Sequence, residues 1–265
     1  YYTGDPRAPG PPLMDTLLDP ERNLLHDFPD IYTWLEGITD PGYPGAQYDA
    51  GASYADEHVG RVVAELKSRG LYDEAMIILV SDHGEHMDEH GVFYGHALPY
   101  EEVLHVPLVS KWPGGGLAGT VIDERDTIMD VLPTVLETVG LAVPADLDGR
   151  SLAGLAAGRG EGASLLVAEQ GETPAKYCKT LVEGDWKLML FCKDGEFRPE
   201  LYQLARDPRE RDDVAAEHPD IVARLTERIW TIFDPAEPLR GERSRSEVPL
   251  SEAERARLKS LGYVH

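Results

Sequence analysis

The 265-residue sequence is short of positive charge: 25 Lys and Arg stand against 48 Asp and Glu, a formal net charge of −23. Nucleic-acid binders need a basic face for phosphate contacts, and anionic membrane surfaces recruit basic segments, so the composition argues against both kinds of partner. No apolar run approaches the roughly 20 residues that span a bilayer, so no membrane span is expected. The two cysteines, Cys178 and Cys192, leave the redox compartment undecided. No internal repeat is present, and the sequence assigns neither a cellular compartment nor an oligomeric state. What remains is ample: 265 residues with 42% hydrophobic content can bury one large core or two modest ones.

The densest information lies at Ser81-Asp82-His83-Gly84-Glu85, directly after the apolar run Ala75 to Val80. An uninterrupted run rich in Ile and Val reads as a strand buried on both faces of a parallel sheet. Ligands of open α/β sheets sit beyond the carboxyl ends of the strands, where Asp82 and His83 would offer an oxygen and a nitrogen donor to a metal. Gly84 lets the backbone turn away without a Cβ clash. His90, His96 and Tyr100-Glu101-Glu102 follow, before a second apolar strand at His105 to Val109.

The rest of the chain divides by composition. Residues 1 to about 45 are broken by seven prolines, from Pro9 to Pro44, with a short helix expected from Phe28 to Leu35. Ala52, Ala55, Val59, Val62 and Leu66 recur at steps of three and four, which predicts a helix from Asp49 to Arg69 closed by Gly70. A second helix is expected from Thr127 to Val139, ended by Gly140. The small, glycine-rich stretch from Pro144 to Gly162 reads as a link. Beyond it the pattern predicts strands near 164–168 and 200–204 and a hairpin from Tyr177 to Cys192 turning at Gly184-Asp185. A helix from Pro219 to Ile232 follows, together with a linker from Asp234 and a last helix starting at Ser251. The domain expectation is therefore 1–145, 160–233 and a tail at 234–265. A two-residue turn sets Cys178 opposite Phe191 and points the cysteines to opposite faces as free thiols, whereas a bulge would bring them together.

Taken in order, several motifs resemble the second half of a sulfatase, in the alkaline phosphatase superfamily. They are Ser81-Asp82-His83-Gly84-Glu85, Glu89-His90-Gly91, Gly95-His96, Tyr100-Glu101-Glu102, Trp186-Lys187-Leu188, Leu201-Tyr202-Gln203-Leu204 and Asp207-Pro208-Arg209-Glu210. The resemblance implies an α/β fold, part of an alkaline-phosphatase-like sandwich with a small carboxyl-terminal antiparallel sheet plus helix. It also implies hydrolysis of a sulfate ester, on a small molecule or a glycan, by attack of a formylglycine hydrate. That residue is made from a Cys or Ser followed at fixed spacing by Pro and Arg. Neither Cys178-Lys179-Thr180 nor Cys192-Lys193-Asp194 fits, and no Ser-x-Pro-x-Arg occurs. The family's first pair of metal-binding aspartates also has no counterpart, and the chain opens at Tyr1 without Met. The expectation is a carboxyl-terminal piece of a longer enzyme, inactive alone.

The resemblance assigns Asp82 and His83 to the metal, most simply Ca²⁺, with His83 widening the choice to Mg²⁺, Mn²⁺ or Zn²⁺. Many relatives have Asn at the position of His83. His96 stands where many members carry Lys, which implies contact with the oxygens of the transferred group, as a charge-stabilising imidazolium or a proton donor. His105, entering a strand, reads as a packed or supporting group, and Glu85, Glu101 and Glu102 as residues that orient loops or cap helices. Two other readings stand beside sulfate ester hydrolysis. One is a phosphomonoester, phosphodiester or phosphonate ester hydrolase of the same superfamily. The other is a noncatalytic fragment or pseudoenzyme that binds a partner.

Overall fold

The computed structural model describes residues 2–27, 29–159, 161–173, 176–233 and 252. In chain order these form α1 (Leu13–Leu17), α2 (Gly42–Ser68), β1 (Ile77–Val80), α3 (Glu101–Leu104), β2 (Leu108–Lys111), α4 (Val131–Thr138), α5 (Ala153–Ala156), the four strands β3 (Leu165–Thr173), β4 (Lys176–Glu183), β5 (Trp186–Lys193) and β6 (Glu196–Gln203), and α6 (Pro219–Ile232). A 3-10 helix at Pro29–Leu35 stands where a short helix is expected, and α6 has the predicted bounds. The linker from Asp234 and the helix expected at Ser251 lie outside the described residues, apart from Glu252.

The strand before the Asp-His pair differs from expectation. It pairs antiparallel, not parallel, with β2 in a two-stranded ribbon, Val80 opposite Leu108 and Ile77 opposite Lys111. Nor is it buried on both faces: Leu79 is 44% exposed, Val80 37% and Val109 60%. An unbroken apolar run says that a strand has two greasy faces. It says nothing of direction or of what covers them. Because Val80 and Leu108 are partners, the whole 81–107 excursion leaves and returns at one end of the ribbon.

Helix α2 begins seven residues earlier than the apolar spacing suggests. Pro44 is tolerated in its first turn, where the missing N–H would have no intrahelical partner. At 27 residues it is about 40 Å long. Gly70, in the left-handed region at φ 67°, follows its end as predicted. The predicted apolar stripe is largely bare, with Val62 60% exposed.

The proline-broken first segment is packed rather than loose. Leu13, Leu17, Leu25, Tyr32, Leu35, Ile38 and Val92 form one core, with Phe93, Tyr94 and Leu98 against it. Tyr32 Oη donates to the Phe93 carbonyl at 2.8 Å and accepts from Asn23 Nδ2 at 3.0 Å. The segment thereby supports the loop that carries His96.

Strands β3 to β6 form an antiparallel meander in sequence order. Alternation along each strand gives the sheet two faces. On one, Leu181, Leu188, Leu190 and Leu201 pack against Leu225, Ile229 and Phe233 of α6 and its end. On the other, Cys178, Met189 and Tyr202 pack against Tyr100 of the loop before β2. Gly184 makes the two-residue turn at φ 57°, and Cys178 faces Phe191 as the hairpin register requires. Both cysteines are free and buried, and burial pushes the Cys178 thiol up to about 12.

Lys187, on the face toward Tyr100, has no exposed side-chain surface. It reaches Glu101 Oε1 at 2.9 Å and Glu210 Oε1 at 2.7 Å. The other Glu210 oxygen accepts the Glu101 backbone N–H at 2.6 Å. Burial raises the Glu210 carboxyl pKa more than the neighbouring ammonium lowers it. Removing the cation strands buried carboxylate charge, which typically costs about 3–5 kcal/mol. Lys187→Met is therefore expected to lower unfolding stability by about that much in urea titrations, and a loss below about 1 kcal/mol would show the triad to be dispensable.

Candidate active site

The carboxyl end of β1 delivers Ser81, Asp82 and His83 to the mouth of the 81–107 loop. Asp82 lines an open cavity of about 450 Å³ together with Val80, Ser81, Ile128 and Val131. Its Oδ1 accepts the His83 backbone N–H at 3.1 Å and lies 3.9 Å from His83 Nε2. His83 Nδ1 sits 2.8 Å from the Gly84 carbonyl. An imidazole that donates Nδ1–H to a backbone carbonyl presents the Nε2 lone pair, the usual arrangement of a metal-ligating histidine. With the Asp82 carboxylate beside that nitrogen, the pair fits a divalent cation.

Gly84 is required here for a reason the sequence hints at only in outline. Its N–H donates to the Val103 carbonyl at 2.8 Å, and a Cβ at this position would stand 2.0 Å from the Glu102 carbonyl oxygen. Only glycine lets this turn lie flat against α3.

His96 comes back over this turn. Its ring stacks on His83 with centroids 4.1 Å apart, and its Nδ1 is 3.5 Å from Glu85 Oε2, an ion-pair distance at the limit of hydrogen bonding. The Glu85 contact raises the imidazole pKa against the opposing effect of partial burial, with a further charge contribution from Asp82. His83, Glu85 and His96 bring one ligand atom each within 4.8 Å of one another. The loop thus gathers three polar groups on one spot, half-buried and beside the Asp82 cavity.

A family model described as "Sulfatase" matches residues 27–141, and one described as "N-sulphoglucosamine sulphohydrolase, C-terminal" matches residues 88–234, more than half of the chain. The chain belongs to the sulfatase family. Among curated relatives, mouse arylsulfatase K is 29% identical over 71% of this chain and 35% of its own length. The chain therefore spans about a third of the length of that relative. A solved structure of BT4656 in complex with its substrate D-glucosamine-2-N,6-O-disulfate is 26% identical over 69% of this chain and 40% of that one, at a TM-score of 0.53. The phosphonate monoester hydrolase of Agrobacterium radiobacter is 26% identical over 69% and 39%, at a TM-score of 0.58. The architecture is accordingly that of the sulfatases, within the alkaline-phosphatase-like superfamily.

In this sulfatase chain the three residues singled out in the sequence, Asp82, His83 and His96, lie side by side. His105 differs from expectation: it caps the end of α3 and is exposed, because β2 begins only at Leu108. Two features go beyond the sequence reading. Glu85 proves to be the partner of His96. His90, held at φ 54°, stacks on Tyr100 at 3.7 Å and places Nε2 3.5 Å from Glu102 Oε2, near Glu210. The Lys187 ammonium already occupies the Glu210 side of that group, so we read it as an ionic brace rather than a metal centre. The left-handed backbone at His90 is invisible to periodicity, and Glu210 is distant in sequence.

Because Glu85 raises the His96 pKa, the pair stabilises the fold most fully below the ordinary imidazole range. That contribution is lost as pH rises through the folded value. Glu85→Gln is expected to lower the pH at which His96 titrates, followed through its ring protons by NMR. An unchanged titration would rule out the ion pair.

Proposed function

We propose that this chain supplies the ester-binding side of a metal-dependent sulfuric ester hydrolase acting on sulfated sugars, with the attacking group contributed from outside these 265 residues. Residues 1–145 would belong to the α/β core of that enzyme and 160–233 to a small α+β subdomain. The observation that carries the reading is the His83–His96 stack, which sets a ring suited to a metal against a ring that favours its protonated form. No residue of the chain stands in the Cys/Ser-x-Pro-x-Arg context, which accords with an outside nucleophile.

In this reading Asp82 and His83 Nε2 hold a divalent cation, Ca²⁺ by the hardness of the carboxylate, with Mn²⁺ or Zn²⁺ suited to the imidazole. When bound, such an ion neutralises the nonbridging oxygens of the ester. The His83 Nδ1–H stays on the Gly84 carbonyl, which fixes the tautomer and the ring plane. His96 presents its remaining ring N–H, on the side away from Glu85, to a sulfate oxygen or to the departing alcohol oxygen. Glu85 favours the charged form of that imidazole and limits its rotation. A cationic pair of this kind also answers the problem of an anionic substrate approaching an acidic protein, because a bound cation and an imidazolium dominate the potential inside the cleft.

A phosphonate ester hydrolase is the second reading, favoured by the structural likeness to the Agrobacterium enzyme. The two share the metal and His96 and differ in the nucleophile. Turnover of aryl sulfate against aryl phosphonate ester by the enzyme containing this chain separates them.

His96→Ala in that enzyme is expected to lower aryl sulfate turnover by about 10²-fold to 10³-fold with metal content unchanged. His96→Lys should retain more activity than Ala, and Asp82→Ala should lose the metal as measured by elemental analysis. Near-full turnover of His96→Ala would remove this residue from the site. With two candidate ligands where Ca²⁺ takes six or more oxygens, the chain alone should bind Ca²⁺ weakly, and submicromolar affinity in calorimetry would contradict the proposed division of the site.

A further inference from the structure

We propose that His90, Glu102, Glu210 and Lys187 form a proton-operated clamp, in which one proton taken up by the group locks α3, and the turn resting on α3, onto the small sheet. His90 is then a positioning residue, and the clamp belongs to the fold whichever ester the site accepts.

Backbone strain marks the group first. His90 at φ 54° and Glu210 at φ 52° both hold the left-handed conformation that residues with a Cβ avoid. Far apart in sequence, the two deliver their side chains to one spot. His90, Glu102 and Glu210 each bring one side-chain nitrogen or oxygen within 4.8 Å of the others. Strain of this kind persists where surrounding contacts over-determine it, and it gathers at switches. The His90 ring also lies flat on Tyr100, with centroids 3.7 Å apart and planes at 4°.

The group is short of positive charge. Glu101, Glu102 and Glu210 bring three carboxylates, and Lys187 one ammonium, 2.9 Å from Glu101 Oε1 and 2.7 Å from Glu210 Oε1. His90 Nε2 and Glu102 Oε2, 3.5 Å apart, are shielded from solvent, and neither has a hydrogen-bond partner. A proton on this group offsets part of the negative excess, and an imidazolium also gains from the aromatic face of Tyr100. With the sites this close, the proton belongs to the cluster rather than to one atom. Burial holds the Glu210 carboxyl above its ordinary range against the pull of Lys187. A proton held more firmly in the docked loop than in the free one stabilises docking in acid, and that stabilisation is lost as pH rises.

Other charges nearby are committed elsewhere. His86 stands edge-on to His90 at 6.1 Å, and burial holds its imidazole below the ordinary range. Glu89 turns its carboxylate to the Met87 and Asp88 N–H groups at 2.7 and 3.2 Å. In the first segment Arg22 pairs with Asp19 at 3.6 Å, and on β6 Arg198 pairs with Glu200. Arg209 and Arg211, beside Glu210 in sequence, are exposed.

The clamp reaches the site through the backbone. The Glu102 carbonyl oxygen lies against Gly84, and the next carbonyl, of Val103, accepts the Gly84 N–H at 2.8 Å. Holding the Glu102 side chain therefore holds the surface on which the Asp82–His83 turn rests. Acid closes the clamp, and rising pH frees the turn.

Hydrogen exchange of the Gly84 N–H, corrected for the intrinsic pH dependence of amide exchange, tests this on the chain as it stands. Glu102→Gln replaces the carboxylate by an amide that can donate to a neutral His90 Nε2, so the contact needs no added proton. His90→Arg carries its charge at every pH and keeps a planar group against Tyr100. For each variant, the ratio of its Gly84 protection to that of the wild type should be near one at about pH 5 and about tenfold or more at about pH 8. The His96–Glu85 pair is common to all three chains and cancels from the ratio. A ratio constant with pH in either variant would overturn the proposal: near one, no proton operates the contact, and far below one, the contact is a plain structural one. No ester is cleaved in this measurement, so the turnover of the His96 variants judges the hydrolytic reading separately.

Discussion

The buried ammonium of Lys187 is the constraint on which much of this architecture hangs. It stands on the inner face of β5 and neutralises two carboxylates from elsewhere in the chain, Glu101 at the start of α3 and Glu210 beyond β6. Glu210 also takes the first free N–H of α3. A short helix of four residues has little stability of its own, so its position is set by this ionic contact and by Tyr100, whose hydroxyl donates to Glu200 at 2.7 Å. Helix α3 is in turn the surface against which Gly84 lies. A charge in the small sheet thereby fixes the turn that carries Asp82 and His83.

Burial penalties explain why this arrangement is specific rather than simply strong. The Glu200 carboxylate accepts from Tyr100 and Tyr202 and pairs with Arg198, while desolvation pushes both phenols far above their ordinary range. Each group is costly to bury alone and tolerable only with the others in place. Two such polar networks, around Glu200 and around Lys187, face the loop from the same side of one sheet. Their requirement for mutual satisfaction leaves the loop few ways to dock.

The candidate site was legible in the sequence to the extent that it is local. Asp82, His83, Gly84 and His96 lie within a span of fifteen residues, and their residue types declare their chemistry. The hairpin and α6 were equally legible, because turn chemistry and a helical apolar stripe are short-range signals. Strand direction was not: an Ile and Val run carries no mark of parallel or antiparallel pairing, and β1 proved antiparallel to β2. The supports of the loop were hidden for a different reason. Tyr32 and Phe93 are 61 residues apart, and Glu101 and Glu210 are 109 apart, so no periodicity connects them. The pairing of Glu85 with His96 also depends on a fold-back that spacing alone does not give.

The bare apolar faces of the β1–β2 ribbon and of α2 have a consequence for how this chain behaves as a colloid. Leu79, Val109, Val62 and Tyr54 are all more than 40% exposed, and they share the surface with a net charge of −23. Long-range repulsion between like-charged particles holds such patches apart over about a Debye length, near 10 Å at 0.1 M salt. Raising the ionic strength shortens that reach, and salting-out ions also strengthen apolar attraction. The excess of carboxylates thus acts as a dispersant, and the chain's tendency to self-associate is set by the salt around it.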